Sequence, residues 1–282
     1  MNIYLSSDLH YGDNSSGDQA TAKLAAELNK RSQPDDILVL AGDLAAGDHH
    51  LAHCLSLFAG FRGRKCYVLG NHDIWSEMDD ALVREMMAAN ALRWYGFSPL
   101  DLDEPLVFGS VGLAGNMGWY DYSFAEPALG IPLTNYETKT FPGELSPLWG
   151  DARFARWNMT DPAVTDIFVR RLESQLCRLE ADPRVTEVIV VTHHVPTKRL
   201  LAQPRCLIPK RWRFANVFLG SERFAEVIVG HSKVRLAACG HIHLSRSTRI
   251  GGTEFLSIGS DYRSKELITW DGCDVKRESF SH

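Results

Sequence analysis

The chain is short of the features that mark an extracellular or membrane protein. Its six cysteines (Cys54, Cys66, Cys177, Cys206, Cys239 and Cys273) are widely spaced and form no Cys-x-x-Cys pair. That spacing argues against a disulfide framework or a zinc knot, and most of the thiols sit in apolar runs, where buried reduced cysteine is expected. The opening residues carry neither a basic stretch nor a long apolar run, so no secretory leader is read there. No apolar run reaches the roughly 20 residues that a spanning helix needs. Positive charge is also scarce, with 30 Lys+Arg against 35 Asp+Glu and a net charge of −5. A protein built mainly to coat nucleic acid is therefore excluded, and nucleic-acid binding through a local patch is not favoured. A cytoplasmic location and no membrane contact are expected.

What the sequence does have is an ordinary globular composition, 45% hydrophobic and 23% charged over 282 residues, read as one domain over 1–282. Short apolar runs at 2–6, 36–41 and 65–69 read as buried strands. Helical patterns lie between and after them. One, with Asp18 as a cap, carries Ala22, Leu24, Ala25 and Leu28, and a second runs through Leu51, Cys54, Leu55 and Phe58. A third, from Trp75, carries Leu82, Val83, Met86 and Met87. The series predicts a parallel sheet with crossover helices. It resumes with a helix opened by Thr160-Asp161-Pro162, strands at 185–192 and 234–239 flanking a helix at 221–229, and antiparallel strands from 245 to 268 around a Gly251-Gly252 turn. Residues 116–157 break the rhythm with nine aromatic residues and four prolines. They read as an ordered insertion and a candidate lid over the site.

Five predicted strands end in polar clusters. These are Asp8-Leu9-His10, Gly42-Asp43, Gly70-Asn71-His72-Asp73, His193-His194 and Gly240-His241-Ile242-His243. Ligands gather at the carboxyl ends of strands in open α/β sheets, so the five clusters should converge on one edge. Carboxylate, imidazole and amide oxygen form a mixed N/O set suited to Mn, Fe or Zn. In Asp8-x-His10 and His241-x-His243 the candidate ligands are two apart, which on an extended segment sends both side chains to one side. The set exceeds what one ion needs, so two divalent or trivalent ions sharing a carboxylate are expected.

Together these blocks resemble the calcineurin-like metallophosphoesterase superfamily, in its order and over most of the chain. Gly-Asn-His-Asp followed by Gly-His-x-His is a specific combination. The resemblance implies a four-layer α-β-β-α sandwich with two mixed sheets face to face. It implies that Asp8, His10 and His243 hold one metal, that Asn71, His193 and His241 hold the other, and that Asp43 bridges them. It also implies that His72 protonates the leaving oxygen, with Asp73 orienting it, while a metal-bridging hydroxide attacks phosphorus. Two ions roughly 3.5–4 Å apart would acidify a shared water and clamp the phosphate oxygens. Histidine is the side chain best poised to protonate an alkoxide near neutral pH.

A phosphate ester of a small molecule is the expected substrate, with a phosphodiester favoured over a monoester because His72 suits an alkoxide leaving group. Gly42-Asp43-Leu44-Ala45-Ala46-Gly47 lacks the arginine of the phosphoprotein phosphatases, and His72 stands where the lipid-A-pathway pyrophosphatases have arginine. A phosphomonoesterase or nucleotide pyrophosphatase is the alternative, and a metal-binding interaction scaffold of the same fold is the non-enzyme alternative. His194 would lie behind the ligands or face substrate. Trp119 and Tyr120 could stack on a substrate ring, although packing is the commoner role for such rings. Asp13 and Asp18 read as turn and cap residues. The basic stretch Lys198, Arg199, Arg205, Lys210, Arg211 and Arg213 around Trp212 reads as a solvated loop, with phosphate binding as the alternative.

Overall fold

Ile37-Leu38-Val39-Leu40-Ala41 is apolar at every position, a pattern stable only in a strand covered on both faces. The computed structural model describes residues 1–202 and 207–282, and within them this run is such a strand. Ile37, Val39 and Ala41 face a core between two sheets, while Leu38 and Leu40 face a second core beneath helices. Ile189 and Val191 against Val188 and Val190 repeat the division in the opposite sheet. Each such Ile, Leu or Val side chain contributes about 1.5–3 kcal/mol of burial.

In chain order the strands are β1 (Ile3–Ser6), β2 (Ile37–Ala41), β3 (Arg64–Val68), β4 (Phe97–Pro99), β5 (Leu106–Phe108) and β6 (Val111–Asn116). They continue with β7 (Glu187–Thr192), β8 (Val234–Cys239), β9 (Arg246–Ile250), β10 (Thr253–Ser257), β11 (Ser264–Trp270) and β12 (Val275–Ser281). One six-stranded sheet has the order β12-β11-β1-β2-β3-β4 and the other β5-β6-β7-β8-β10-β9. Each is parallel at its centre and antiparallel toward an edge. The helices are α1 (Ser15–Arg31), α2 (Asp48–Leu57), α3 (Ala81–Trp94), α4 (Leu133–Glu137), α5 (Asp151–Phe154), α6 (Asp161–Ala181), α7 (Lys210–Ala215) and α8 (Glu222–Val229). The long helices α1 and α6 pack on β11 and β12 and on β6 respectively. The predicted α/β sandwich of two mixed sheets with helices outside is the observed fold. Among the described residues no helix is long and apolar enough to cross a membrane.

Three local expectations are corrected. Asn14, not Asp18, caps α1, its Oδ1 accepting from the Gly17 amide at 2.9 Å, while Asp18 instead accepts from the Gly12 amide at 2.7 Å. The third helix starts at Ala81 rather than Trp75, and its expected apolar face points outward, with Met86 61% and Met87 48% exposed. The buried side carries Ala81, Ala88, Ala89 and Leu92 together with Arg84 and Glu85. Those two charges are paired, Arg84 with Asp48 at 2.6 Å and Glu85 with Arg171 at 2.6 Å, and paired charges can sit where apolar residues were expected. Of the cysteines, Cys54, Cys66 and Cys239 are buried thiols, but Cys177 and Cys273 are exposed, and Cys206 lies outside the described residues.

Candidate active site

The parallel strands β1, β2 and β3 of one sheet and β7 and β8 of the other end at Ser6, Ala41, Val68, Thr192 and Cys239. The five polar clusters follow these ends directly, and their side chains meet. Asp8, His10 and His243 form one group of candidate ligands, Asp43, His193 and His241 another, and His10, Asp43 and His72 a third between them, with ligand atoms inside each group within 4.8 Å of one another. Asp43 Oδ2 lies 3.3 Å from His193 Nε2 and 3.9 Å from His10 Nε2, so a single carboxylate oxygen faces both halves. Asn71 Oδ1 lies 3.2 Å from His193 Nε2.

The backbone that achieves this is unusual. Asp8, His10, Asp43, His241 and His243 all have φ between 42° and 72°, a region that non-glycine residues rarely enter. Asp8-x-His10 and His241-x-His243 are therefore not extended, as their spacing suggested. Left-handed residues alternate with an ordinary one and aim the outer pair inward. Glycine permits the close approach: a Cβ at Gly70 would lie 2.0 Å from Asp43 Oδ1, and one at Gly42 would lie 2.4 Å from His193 Nδ1.

Three imidazoles are oriented by what their Nδ1 atoms touch. His193 Nδ1 meets the Ala41 carbonyl at 2.8 Å, His243 Nδ1 the Ser260 carbonyl at 2.8 Å, and His10 Nδ1 the Asp13 carboxylate at 3.4 Å. Each contact fixes the ring with Nε2 toward the cluster, as metal-ligating histidines commonly are. Asp13 thus does more than close a turn.

The donor set fits cations. Among the described residues, the Nε2 atoms of His10, His194 and His241 are buried without a hydrogen-bond partner, which is costly unless something else completes them. Burial lowers the His10 imidazole to about 4, keeping it neutral. Burial also lowers His193, but the adjacent Asp43 outweighs this and lifts it to about 10, so a proton there balances the carboxylate as a cation would.

His72 is 32% exposed and its Nε2 stands 3.9 Å from Asp43 Oδ2. Its ring stacks on Trp75 at 3.8 Å with 24° between planes. Asp73 is placed otherwise than expected. His72 and Asp73 share a single 3₁₀ turn (His72–Ile74), and among the described residues no hydrogen bond or ion pair joins Asp73 to the imidazole. Its carboxylate accepts from the amides of Asp43 at 2.9 Å, Leu44 at 3.1 Å and Gly70 at 2.7 Å, and from the Tyr67 hydroxyl. It braces the two ligand-bearing loops against each other.

His194, Trp119 and Tyr120 have no exposed surface. The His194 ring lies 4.4 Å from His241 and 4.9 Å from Trp119, so these three form the packed layer behind the second group. The residue that sequence reasoning missed is Asp151. Its Oδ1 accepts from Asn71 Nδ2 at 3.0 Å and Trp75 Nε1 at 2.6 Å, and its Oδ2 from Trp149 Nε1 at 2.8 Å and Tyr120 Oη at 3.1 Å. No local pattern distinguishes it from other acids in the insertion. In the basic stretch, Arg211 pairs with Glu144 at 2.6 Å and Arg213 with Glu126, tying α7 to the insertion. Arg205 lies outside the described residues.

The model of the calcineurin-like phosphoesterases matches residues 1–245. No curated protein sequence matches the chain. Among solved structures, phosphopantetheinyl hydrolase from Mycobacterium tuberculosis is similar with a TM-score of 0.65 and 21% identity, covering 92% of this chain and 89% of its own. A dimetal phosphatase from Danio rerio has a TM-score of 0.57 and 14% identity, with 100% and 96% covered. GAP50, the anchor in the inner membrane complex of Plasmodium, has a TM-score of 0.52 and 11% identity, with 99% and 84% covered. At these identities the neighbours establish shared architecture, while the family match spans most of the chain and every one of its polar clusters. The chain belongs to the calcineurin-like phosphoesterase family.

Proposed function

We propose that the protein is a dinuclear metal-dependent phosphoesterase that cleaves a phosphodiester, with His72 as the general acid. The observation that carries this is Asp43, whose single oxygen faces both ligand groups beside the exposed His72 ring. Asp8, His10 and His243 would hold one ion, and Asn71, His193 and His241 the other, with Asp43 shared. When bound, such ions acidify a water and neutralise charge on the phosphate oxygens.

The chain's own residues supply the rest. Asp151 accepts from Asn71 Nδ2 and so turns the amide oxygen toward the second group. Trp75, fixed through its indole N–H, holds the His72 ring plane. His72 then donates its proton to the departing alkoxide, a step worth about 10²–10⁴ in rate when the leaving group is poor. Trp149 stands 5.8 Å from His241, so the insertion contributes a wall to the site rather than a distant packing layer. The similarity to a phosphopantetheinyl hydrolase and to a dimetal phosphatase supports hydrolysis of a phosphate ester.

The test compares diesters with alkyl and p-nitrophenyl leaving groups in wild type and His72→Ala, after metal content has been measured. His72→Ala should lose about 10²-fold or more on the alkyl ester and much less on the p-nitrophenyl ester, which needs no proton. Equal losses on both would remove His72 as general acid. The Plasmodium anchor shares the fold, so a scaffold is the second reading. Full metal occupancy with no turnover of any ester would favour it.

A further inference from the structure

Next to His241 the surface opens into a pocket of about 200 Å³. The segment that carries the candidate ligand also supplies its floor, Ile242 and Leu244. Trp149 of the insertion forms one wall, and Trp212 and Leu219, on and just beyond α7, form the other. Among the described residues no Asp, Glu, Lys or Arg lines it. The single amide, Asn216, makes no side-chain hydrogen bond among them.

We propose that this pocket receives the retained arm of the substrate, an uncharged apolar group about the size of one ring. The inference rests on the phosphodiesterase reading, since a monoester has no second arm. Charge decides what enters: among the described residues a phosphate has no Lys or Arg counter-charge here, whereas an uncharged ring has two indoles and several aliphatic side chains. Size decides how much enters. Complete ligand sites run to roughly 300–1,000 Å³, and a cavity near 150 Å³ suffices for benzene. Position decides which arm. The general acid shares its group with His10 and Asp43, and the pocket adjoins the group of Asp43, His193 and His241. The leaving oxygen therefore faces His72, and the retained arm reaches the other side. The wall is preset, because Trp149 Nε1 is held by Asp151 at 2.8 Å. At the mouth, Trp212 is 58% and Leu244 40% exposed, apolar surface that a bound arm would cover.

The experiment uses metal-loaded full-length protein and p-nitrophenyl diesters whose second arm is methyl, cyclohexyl or phenyl. Cyclohexyl and phenyl esters should exceed the methyl ester in kcat/KM by roughly tenfold or more. Ala215→Leu, which fills the pocket, and Trp212→Ala, which removes an exposed wall, should each erase that advantage and leave the methyl ester unchanged. Cleavage at equal efficiency whatever the arm, or variants that weaken all three esters alike, would overturn the pocket assignment. If no ester is cleaved, the phosphoesterase reading itself has failed. Saturable quenching of tryptophan emission by benzyl alcohol, abolished in Ala215→Leu, then decides whether the pocket binds a neutral ring; no saturable quenching in wild type overturns it.

Discussion

Asp151 is one carboxylate with four donors, and it joins Asn71, Trp75, Trp149 and Tyr120 in a single network. An amide in its place would turn two hydrogens toward groups that are themselves donors, and networks of this kind fail as units. In Asp151→Asn we expect metal content to fall from two ions toward one per chain, with kcat reduced about 10–100-fold. Elemental analysis and the electron paramagnetic resonance of the manganese-loaded protein read this directly: the coupled two-ion spectrum should give way to that of isolated ions. Retention of both ions with unchanged kcat would leave Asp151 without the assigned role. Asp101 makes the pH argument. Burial pushes its carboxyl up to about 8, although it accepts from the amides of Leu69 at 2.8 Å and Met117 at 2.6 Å. An unfolded aspartate loses its proton near pH 4 and the folded one near 8, so the folded chain holds the extra proton between them. This contribution to stability is complete below about pH 4 and is lost as the pH rises toward 8. Thermal melts from pH 4 to 9 should fall less steeply in Asp101→Asn than in wild type. The candidate ligand residues were legible because their chemistry restricts residue type and strand ends restrict place. Asp151 and Asp101 were not, because all their donors except Trp149 are far away in sequence, and an acid that accepts distant donors carries no local mark.

At the level of elements, α1 shows how a cap is chosen. Asn14 and Asp18 both precede the apolar run, yet only Asn14 has extended backbone and reaches the Gly17 amide. Asn14→Ala should lower stability by about 1 kcal/mol, which for a chain of this size is a shift of a few degrees in Tm. Differential scanning calorimetry checks it, and an unchanged Tm would mean that the first turn is held by packing instead. The central strands were readable because an unbroken apolar run admits few other fates. Strand β6, Val-Gly-Leu-Ala-Gly-Asn, carries two glycines, which weaken any strand pattern. A Cβ at Gly115 would lie 2.1 Å from the Val191 carbonyl oxygen, so close sheet pairing selects glycine there. The face of α3 was misread for a related reason. Periodicity counts apolar residues, and here alanines and charge pairs carry the buried side.

At the scale of the whole molecule, the candidate ligands come from both sheets. Asp8, His10, Asp43 and Asn71 follow strands of one, and His193, His241 and His243 follow strands of the other. Ions bound there would bind the folded chain alone, because the unfolded chain has no such cluster. Ligand at a thousandfold over its dissociation constant adds about 4 kcal/mol. Removing metal with a chelator should therefore lower Tm by several degrees or more, and added Mn²⁺ or Zn²⁺ should restore it. A melt indifferent to chelation would mean that the cluster binds no ion tightly. Strand order carries one further consequence. β1 is flanked by β2 on one side and by β11 on the other. During synthesis β2 follows β1 closely, while the candidate ligand His243 and then β11 follow only much later. Between the synthesis of β2 and that of β11 the nascent sheet thus offers a bare β1 edge to any passing strand, which makes that interval the period of greatest exposure to mispairing.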